Sequence, residues 1–475
     1  MGFFRTVRRW IDMLFRNSAT EQFDVYDVIS AEMRAVLKNC ADIYKGSPSW
    51  VDPDNRIRTV NFSKSICSEV ARLAMLGTKI TVDGSARAEW LQEQINGVYF
   101  KLRSWVEYGC AYGTVIIKPT GDTFDVFTPE EFIVTEKDKN GISGVVFFDR
   151  YADGKQWYTR MEYHRFVPST MEGASISPYY ISNRTYVSKS ENSIGDPIAI
   201  GKTKWADLME DSPPILKANG EKLDGQLFGV LCMPQANNVD ITSPLGLPIF
   251  MDAIEELKDL DIAYSRNAGE IFDSEKIVFL DDRLMSNTAP GKERVTENGK
   301  KLPHYVYNLF GQQAAEFYQE INPALNTNER LLGINSILSQ IGYKCGFSNG
   351  YFVFSQKSGM VTATQVESDD RRTIQLIKDI RDSIESALDG AIYALSVIAD
   401  LYKLAPVGAY KITYDFGDIT YNREEDRLRW WGYVQSGKIP TWVYFNKFEG
   451  MSEEAAKAIV AEAQQQEVAG LFEEE

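Results

Sequence analysis

One long amphipathic helix in the last third of the chain constrains its fold more than any other stretch. It begins at a capping box, Thr364–Glu367, whose threonine hydroxyl and glutamate carboxylate can each satisfy an unpaired backbone N–H. Apolar residues then recur at steps of three and four: Ile377, Ile380, Ile384, Leu388, Ala391, Leu395, Ile398 and Tyr402. Roughly 38 residues give a rod of about 57 Å. This length predicts a helix that spans an assembly, with a stripe that neighbouring subunits can bury.

A loop of unusual composition lies directly before this helix. The stretch Gly346–Gly359 is rich in glycine, serine and aromatic residues. Its glycine and serine ends predict flexibility, and its aromatic middle predicts a short extended strand.

Length and composition favour a folded protein of several domains. The 475 residues predict roughly two to four domains, and the chain is 44% hydrophobic and 25% charged. A formal charge of −16 argues against tight wrapping of nucleic acid, because tight binders neutralise phosphates with Lys and Arg. It leaves open contact with DNA that must keep moving, since each neutralised phosphate adds drag.

Cysteine usage and hydropathy favour a reduced setting without a membrane span. The five cysteines are odd in number and scattered, which is typical of reduced thiols in a cytoplasmic product. No run approaches the roughly 20 apolar residues of a membrane span. The first residues lack the continuous apolar core of a signal peptide. We therefore expect no stable membrane association.

The N-terminal segment Met1–Phe15 is basic and amphipathic, and three interpretations of it stay open. Its apolar residues lie on one side, with Arg5, Arg8 and Arg9 elsewhere. A helix that docks in an assembly is preferred over a membrane-surface helix. The stretch Met1–Thr6 also matches the loose N-myristoylation pattern, which matters only where a eukaryotic transferase is present.

Helices and then strands are predicted in the first half of the chain. The helices cover Asp24–Tyr44, Asn61–Leu76 and Ala86–Gly109, the last as one helix or two. The strands are separated by turn signals: Thr114–Lys118, Phe124–Phe127, Ile133–Val134, Gly144–Phe148 and Trp157–Phe166. The stretch Pro168–Gly225 is polar and loop-like. Asn61–Pro234 is therefore predicted to be an α+β domain with an irregular outer lobe.

From Pro244 the pattern becomes a helical hairpin with an insertion. A stripe over Phe250–Ile271 predicts one helix with acidic outer faces. A stripe over Leu331–Ile341 predicts a second helix, capped at Asn326–Glu329. Three strands are predicted between them: Lys276–Leu280, His304–Phe310 and Phe317–Ile321. A strand and two helices are predicted after the long helix: Lys411–Phe416, Arg423–Gln435 and Glu453–Leu471.

Motifs of catalysis and metal binding are missing from the sequence. The two histidines, His164 and His304, stand in different predicted modules, and no HExxH or Gly-x-Ser-x-Gly pattern occurs. Gly195–Thr203 has five residues between its glycines where a phosphate loop needs four. The acidic doublets Asp281-Asp282 and Asp369-Asp370 are typical of a loop and of a first helical turn, which favours negative charge without a metal. We expect no catalytic residue, no metal and no cofactor.

The motifs that begin at Pro244–Gly246 follow a recognisable order. This tripeptide precedes the acidic helix, the β-insertion and the second helix, and the loop Gly346–Gly359 leads into Thr362–Ser368. The order resembles that of tailed-bacteriophage portal proteins of the SPP1-like and A118-like type, whose long helix starts at a T-A-T-E-V-x-S motif. Gln365 stands here in place of the usual glutamate. Two C-terminal stretches also fit the family: Asp415–Asp418 and Gly450–Glu454.

The resemblance implies an α+β portal fold with long helices, a β-rich wing, a helical stem with a small α/β clip, and a helical crown. It implies this division: N-terminal helices and wing 1–240, first stem helix 241–272, clip 273–326, second stem helix 327–343, tunnel loop 344–361, wing-to-crown helix 362–405 and crown 406–475. It further implies a dodecameric ring at the portal vertex of the virion capsid, assembled in the host cytoplasm. DNA would enter through the ring during terminase-driven packaging and leave through it at ejection.

Partners and site residues follow from the same resemblance. The implied partners are double-stranded DNA bound without sequence specificity, the large terminase, the major capsid protein, the scaffolding protein, the head-completion adaptor and tail proteins. The tunnel loop would face DNA through Lys344, Ser348, Asn349, Gln356, Lys357 and Ser358. The acidic stem face would line the channel through Asp252, Glu255, Glu256 and Asp259. The clip would contact terminase and adaptor through Asp281, Asp282, Arg283, Lys292 and Arg294.

Two functions of other classes are kept as alternatives. A metal-dependent nuclease or another enzyme of phage DNA processing would use clustered acidic residues such as Asp281 and Asp369, and would lack a central channel. A peripheral membrane protein would be anchored by Met1–Phe15. Neither has a motif with specific spacing, whereas the portal resemblance has several in order.

Overall fold

The chain divides between Phe416 and Gly417 into two units. The computed structural model describes residues 15–52, 54, 56–139, 141–171, 174–217, 219–273, 277–280, 306–308, 318–321, 327–353, 371–417, 423–449, 451–452 and 454–462. In the first unit, helices and mostly antiparallel strands occupy separate stretches of the chain. The predicted α+β class is therefore confirmed.

Five strands pair antiparallel in one sheet: β4 Phe132–Asp138, β5 Gly141–Asp153, β6 Gln156–Phe166, β9 Tyr179–Ser188 and β10 Asp196–Pro197. Their spatial order is β10-β9-β6-β5-β4. A two-stranded hairpin, β7 Ser169–Met171 with β8 Ala174–Ile176, lies between β6 and β9 in the chain. The three strands predicted in this region before Pro168 are confirmed, and each is longer than predicted.

Strand β9 corrects the expectation that Pro168–Gly225 is loop-like. Tyr179–Ser188 pairs along its whole length with β6, so the loop-like prediction is wrong there. Sequence reasoning misses the strand because its buried side chains include Ser182, Asn183 and Thr185. Buried polar residues break the apolar alternation that identifies a strand. They are tolerated because they find partners, as when the Asn183 amide donates to a backbone carbonyl at 2.7 Å.

A three-stranded sheet packs against this first sheet. Its strands, in the order β11-β2-β3, are Gly229–Cys232, Thr114–Thr120 and Thr123–Phe127. Phe127 of β3 meets Phe147 of β5 edge to face, with ring centres 5.1 Å apart. Ile116 and Val145 belong to the same buried cluster, so the main core of the body lies between the two sheets.

A two-stranded sheet joins distant parts of the chain. Strand β1, Lys79–Gly84, pairs antiparallel with β15, Tyr410–Asp415, which confirms the strand predicted after the long helix. Lys79 lies opposite Asp415, and Asp83 lies opposite Lys411. Directly opposed unlike charges stabilise such a pair by about 0.2–1 kcal/mol each.

Four helices precede strand β2 in the chain: α1 at residues 15–23, α2 Ala31–Tyr44, α3 Phe62–Ala74 and α4 Ala86–Tyr112. The Ser30 hydroxyl caps α2 by accepting a hydrogen bond from Met33 N at 3.2 Å. The Ser85 hydroxyl caps α4 by accepting from Arg87 N at 3.3 Å. The stretch predicted as one helix or two is thus a single helix of 27 residues.

The long helix α7, Arg371–Tyr402, buries its apolar stripe within its own chain. Six residues of the stripe are buried: Ile377, Ile380, Ile384, Leu388, Ala391 and Leu395. Strands β11 and β2 and helix α3 pack on the helix. The approach is so close that a Cβ on Gly229 would lie 1.8 Å from Ala387 O. The expectation that neighbouring subunits cover this stripe is therefore wrong. The capping box at Thr364–Glu367 lies outside the described residues.

A helical hairpin carries a small sheet between its two helices. Helix α5, Ile254–Asp273, follows a short 3₁₀ turn at Met251–Ala253, and α6, Thr327–Lys344, returns beside it. The small sheet has strands β12 Ile277–Leu280, β13 Val306–Asn308 and β14 Tyr318–Ile321. Its order is β13-β12-β14, with β12 and β13 parallel. The predicted order of helix, three strands and helix is confirmed.

The second unit is helical in its described part. Its helices are α8 Arg423–Gln435, α9 Thr441–Glu449 and α10 at residues 454–462. Trp430 meets Phe448 edge to face with ring centres 6.1 Å apart, and Trp431 meets Tyr444 at 5.1 Å. Aromatic pairs therefore hold α8 against α9.

Candidate functional site

Two ion pairs fix the register of the hairpin α5/α6. Lys344 Nζ lies 2.6 Å from Glu256 Oε1 at the body end, and Arg330 pairs with Glu270 at the far end. The pairs are fourteen residues apart on each helix (256 to 270 and 330 to 344), a spacing of about 21 Å. The helices are therefore joined at both ends, and the β12–β14 sheet follows at the far end.

Three of the four predicted acidic stem residues share one exposed face. Asp252, Glu255 and Asp259 are exposed. Glu256 is a correction to the predicted channel-lining set, because its side chain is only 17% exposed and pairs with Lys344. Consecutive residues on a helix point to different faces, so Glu255 and Glu256 have different surroundings.

Asp261, on the same predicted acidic surface, is buried instead. Its carboxylate accepts hydrogen bonds from Trp50 Nε1 at 2.9 Å and from Val60 N at 2.7 Å. One turn further along α5, the Ser265 hydroxyl accepts from Arg58 N at 2.9 Å. These contacts hold the connection between α2 and α3 against helix α5, so Asp261 has a structural role.

The first part of the predicted tunnel loop is folded against the body. Phe347 is buried, and Phe352 packs edge to face on Phe62 of α3 with ring centres 5.2 Å apart. Tyr351 donates a hydrogen bond to Glu69 of the same helix. The aromatic residues up to Phe352 therefore anchor a series of turns, and they do not form the predicted short strand.

Two hydroxyl residues join the ends of the loop, a contact that we call the loop clasp (Ser348 and Thr373). Ser348 N donates to Thr373 Oγ1 at 2.9 Å, and the two hydroxyl oxygens are 3.0 Å apart. Both residues are buried. Ser348 is therefore a correction to the predicted DNA-facing set. Beside the clasp, the Arg372 guanidinium lies 3.9 Å from the centre of the Tyr343 ring. No sequence pattern links residues so far apart, and sequence reasoning misses both contacts.

Two predicted DNA-facing residues are exposed. Asn349 follows the clasp, and its Oδ1 accepts a hydrogen bond from Ser339. Lys344 ends helix α6, one residue beyond the predicted stem boundary, and its side chain is 40% exposed beside Glu256. The remaining predicted site residues lie outside the described part: Gln356, Lys357, Ser358, Asp281, Asp282, Arg283, Lys292, Arg294, Asp369 and Asp370.

A buried charge network joins the two sheets of the body. Lys118 of β2 pairs with Glu162 of β6. Arg160 NH2 lies 3.0 Å from Glu162 Oε2 and 3.3 Å from Asp149 Oδ2. Lys118 Nζ also lies 5.1 Å from the centre of the Phe127 ring. Each ammonium, guanidinium and carboxylate of the network therefore has a partner of opposite charge.

His164 completes this network as a neutral ring. Its Nε2 lies 2.9 Å from Glu162 Oε1, and its Nδ1 lies 3.0 Å from the Tyr179 hydroxyl. That hydroxyl oxygen accepts from Leu227 N at 3.2 Å, so its proton is free to point at Nδ1. Burial lowers the pKa of His164, although the hydrogen bond to Glu162 acts against this shift. Burial alone would raise the pKa of Glu162, but Arg160 and Lys118 hold that pKa well below its ordinary value.

An open cleft of about 760 Å³ lies beside the same sheets. Charges of both signs line it, and one basic–acidic pair lies within the lining: Lys45 Nζ lies 2.7 and 2.8 Å from the two oxygens of Glu130. Burial raises the pKa of Glu131 in this cleft. The mixed charges of the lining do not form a single-sign surface for a charged ligand.

Metal ligands are not grouped within the part of the chain that the structure describes. No set of three or more His, Cys, Asp or Glu side chains there could hold an ion. The five cysteines are free thiols. Burial raises the pKa of Cys40 to about 12 and raises the pKa of Cys67 as well, so both thiols are protonated at neutral pH.

Two comparisons with known proteins gave no match. No family model matches it, and no curated protein matches it. Among the helices in the described ranges, none is both long enough and apolar enough to cross a bilayer. A functional assignment must therefore rest on the hairpin α5/α6, the loop clasp and the sequence motifs.

Proposed function

We propose that this chain is the subunit of a bacteriophage portal ring. The observation that carries the proposal is the hairpin α5/α6, which is joined at both ends and bears a small sheet, followed by an anchored loop and the long helix α7. This order of elements coincides with the motifs that resemble the portal family. On this proposal the hairpin is the stem, the small sheet belongs to the clip, and the sheets of the body form the wing.

The proposed ring encloses a channel for double-stranded DNA at one capsid vertex of the virion. Terminase-driven packaging would move DNA inward, and ejection would move it outward. The clip would bind the large terminase and later the head-completion adaptor, and the wing would face the capsid and scaffolding proteins. Twelve subunits is the number that the resemblance implies.

The charges of the stem suit a channel through which DNA slides. Asp252, Glu255 and Asp259 lie exposed on one face, and the whole chain carries a formal charge of −16. Like charge opposes condensation of the phosphate backbone on the protein, and few basic contacts mean little drag. Contact with DNA would then come from uncharged exposed groups such as the Asn349 amide.

Exposed apolar residues on the stem support the ring. Leu332 is 70% exposed, Tyr264 is 49% exposed and Leu331 is 40% exposed. Single exposed apolar residues are common, but with Tyr343 at 60% the hairpin has four of them. A neighbouring copy in a closed ring would cover them, because each subunit of a ring presents the same two surfaces to its neighbours.

The oligomeric state tests the proposal. We expect native mass spectrometry and negative-stain images of the purified chain to show closed rings with a central hole. Leu332→Asp should leave the far-ultraviolet circular dichroism unchanged and shift the protein to smaller species. Ile241→Asp is the matched control, because Ile241 is 88% exposed but lies outside the hairpin. Monomers alone for the parent chain at micromolar concentration would contradict the proposal.

A further inference from the structure

The described chain contains three complete Asn–Gly pairs, and their surroundings differ. They are Asn96–Gly97 in α4, Asn219–Gly220 in a loop and Asn349–Gly350 after the loop clasp. All three asparagines are exposed, so access of water does not distinguish them. The geometry points to Asn349 as a site of spontaneous modification, where the native fold directs deamidation.

The reaction needs only the peptide itself and water. The Gly350 nitrogen attacks Cγ of Asn349, a new C–N bond forms, and the bond from Cγ to Nδ2 breaks. The proton lost from the Gly350 nitrogen leaves with Nδ2 as ammonia. Water then opens the cyclic imide at either carbonyl, which yields aspartate or isoaspartate. Glycine favours this attack because no Cβ obstructs the approach to its nitrogen.

The hydrogen bond on the attacking nitrogen separates the three pairs. Gly350 N donates no hydrogen bond within the part of the chain that the structure describes. In contrast, Gly220 N donates to Lys217 O at 2.9 Å. Gly97 N lies inside helix α4, where a backbone N–H bonds to the carbonyl four residues earlier. Of the three glycine nitrogens, that of Gly350 alone has no hydrogen bond to another described residue, so no such bond must break before it turns towards Asn349 Cγ.

The hydrogen bonds of the asparagine side chains also favour reaction at Asn349 over Asn219. Asn219 is held away from Gly220, because its Nδ2 donates to Glu221 Oε2 at 2.9 Å and its Oδ1 accepts from Glu221 N at 3.0 Å. Asn349 Oδ1 accepts from the Ser339 hydroxyl. This oxygen gains negative charge when the nitrogen adds to Cγ, so a donor at this position stabilises the intermediate.

The consequence rests on the proposed function. Asn349 is an exposed residue of the predicted DNA-facing loop, next to the buried Ser348 of the clasp. Deamidation replaces a neutral amide with a carboxylate that repels phosphates. Isoaspartate also adds a methylene group to the backbone beside the clasp. Ageing of the protein would therefore change the loop at its base.

Peptide mapping by mass spectrometry tests the site. The full-length chain is incubated at pH 7.4 and 37 °C, and deamidated and isoaspartyl forms are followed with time. We expect Asn349 to react at least about fivefold faster than Asn219 or Asn96, which is the factor that one protecting hydrogen bond supplies. Asn349→Gln should remove the fast product and leave the two slower sites unchanged.

A denatured sample is the control. In strong denaturant the three pairs should react at similar rates, because the protecting hydrogen bonds are gone. If Asn219 or Asn96 reacts as fast as Asn349 in the native protein, the assignment is overturned. The same holds if native Asn349 shows no product. Peptide mapping detects deamidation whether or not the chain forms rings. Failure of the deamidation proposal is therefore distinguishable from failure of the portal proposal.

Discussion

Similar side chains have opposite surroundings in the body and in the hairpin α5/α6. In the body, α7 covers its apolar stripe with strands of the same chain, and Lys118 pairs with Glu162 away from solvent. On the hairpin, Leu332 is 70% exposed, and Lys344 of the ion pair to Glu256 is 40% exposed. The apolar stripe of α7 is thus covered within one chain, whereas the hairpin keeps Leu332 exposed to solvent.

This contrast also separates two kinds of ion pair. An exposed pair contributes about 0–1 kcal/mol, because water screens the charges and ordering the side chains costs entropy. A buried pair is strongly coupled, since loss of one partner leaves a charge without compensation in a medium of low dielectric. The same chemistry should therefore give large effects in the body and small effects on the hairpin.

The largest effect is expected from Lys118→Met in the body. It leaves the buried Glu162 carboxylate with only Arg160 and His164 as partners, and we expect the free energy of unfolding to fall by about 3–5 kcal/mol. Glu255→Gln on the hairpin is the matched control. Its exposed carboxylate lies 3.8 Å from Lys258 Nζ, and the change should cost less than about 1 kcal/mol. Denaturant unfolding followed by fluorescence measures both. Equal losses would break the distinction between the two regions.

A second pair of substitutions compares apolar residues. Leu395→Ala removes a fully buried side chain of α7 and should destabilise the chain by about 2–5 kcal/mol through the cavity that it leaves. Leu332→Ala should change the stability of the isolated subunit by less than about 0.5 kcal/mol. Its effect should appear in assembly, as a higher concentration needed for rings in analytical ultracentrifugation. Normal assembly of the Leu332 variant would remove the hairpin from the interface.

The smallest effect is expected from mild acid, which acts on the stability of the body through His164 and Glu162. The pKa of His164 is lowered in the folded protein. Below about pH 6.5 the unfolded chain therefore binds a proton at this residue that the folded chain does not yet bind. Stability should therefore fall as the pH drops from about 6.5. Below about pH 4.5 the lowered pKa of Glu162 should add a steeper loss.

His164→Gln isolates the first of these two pH ranges. This variant should have a flatter dependence of unfolding free energy on pH between about 6.5 and 5, whatever its absolute stability. Thermal unfolding across a pH series gives the slope. An unchanged slope would show that other groups cause the acid sensitivity.

Periodicity predicted the elements whose pattern is local. The stripe of α7, the two hairpin helices, the insertion between them and six strands of the body, β2–β6 and β15, are all found near their predicted places. Helix steps of three and four, and strand alternation, are set by backbone geometry and need no knowledge of partners. Strand β9 was not predicted, because its buried Ser182, Asn183 and Thr185 break the apolar alternation. Strands β1, β7, β8, β10 and β11 were not predicted either.

Tertiary structure alone decided which residues are available at the candidate site. The sequence predicted Ser348 and Glu256 on functional surfaces. In the fold, Ser348 is hydrogen-bonded to Thr373, and Glu256 forms an ion pair with Lys344. Such pairings depend on how two distant elements pack, and a one-dimensional pattern carries no such information. For the same reason, the sequence alone determined that α7 has an apolar stripe, and only the fold decided that its own chain covers it.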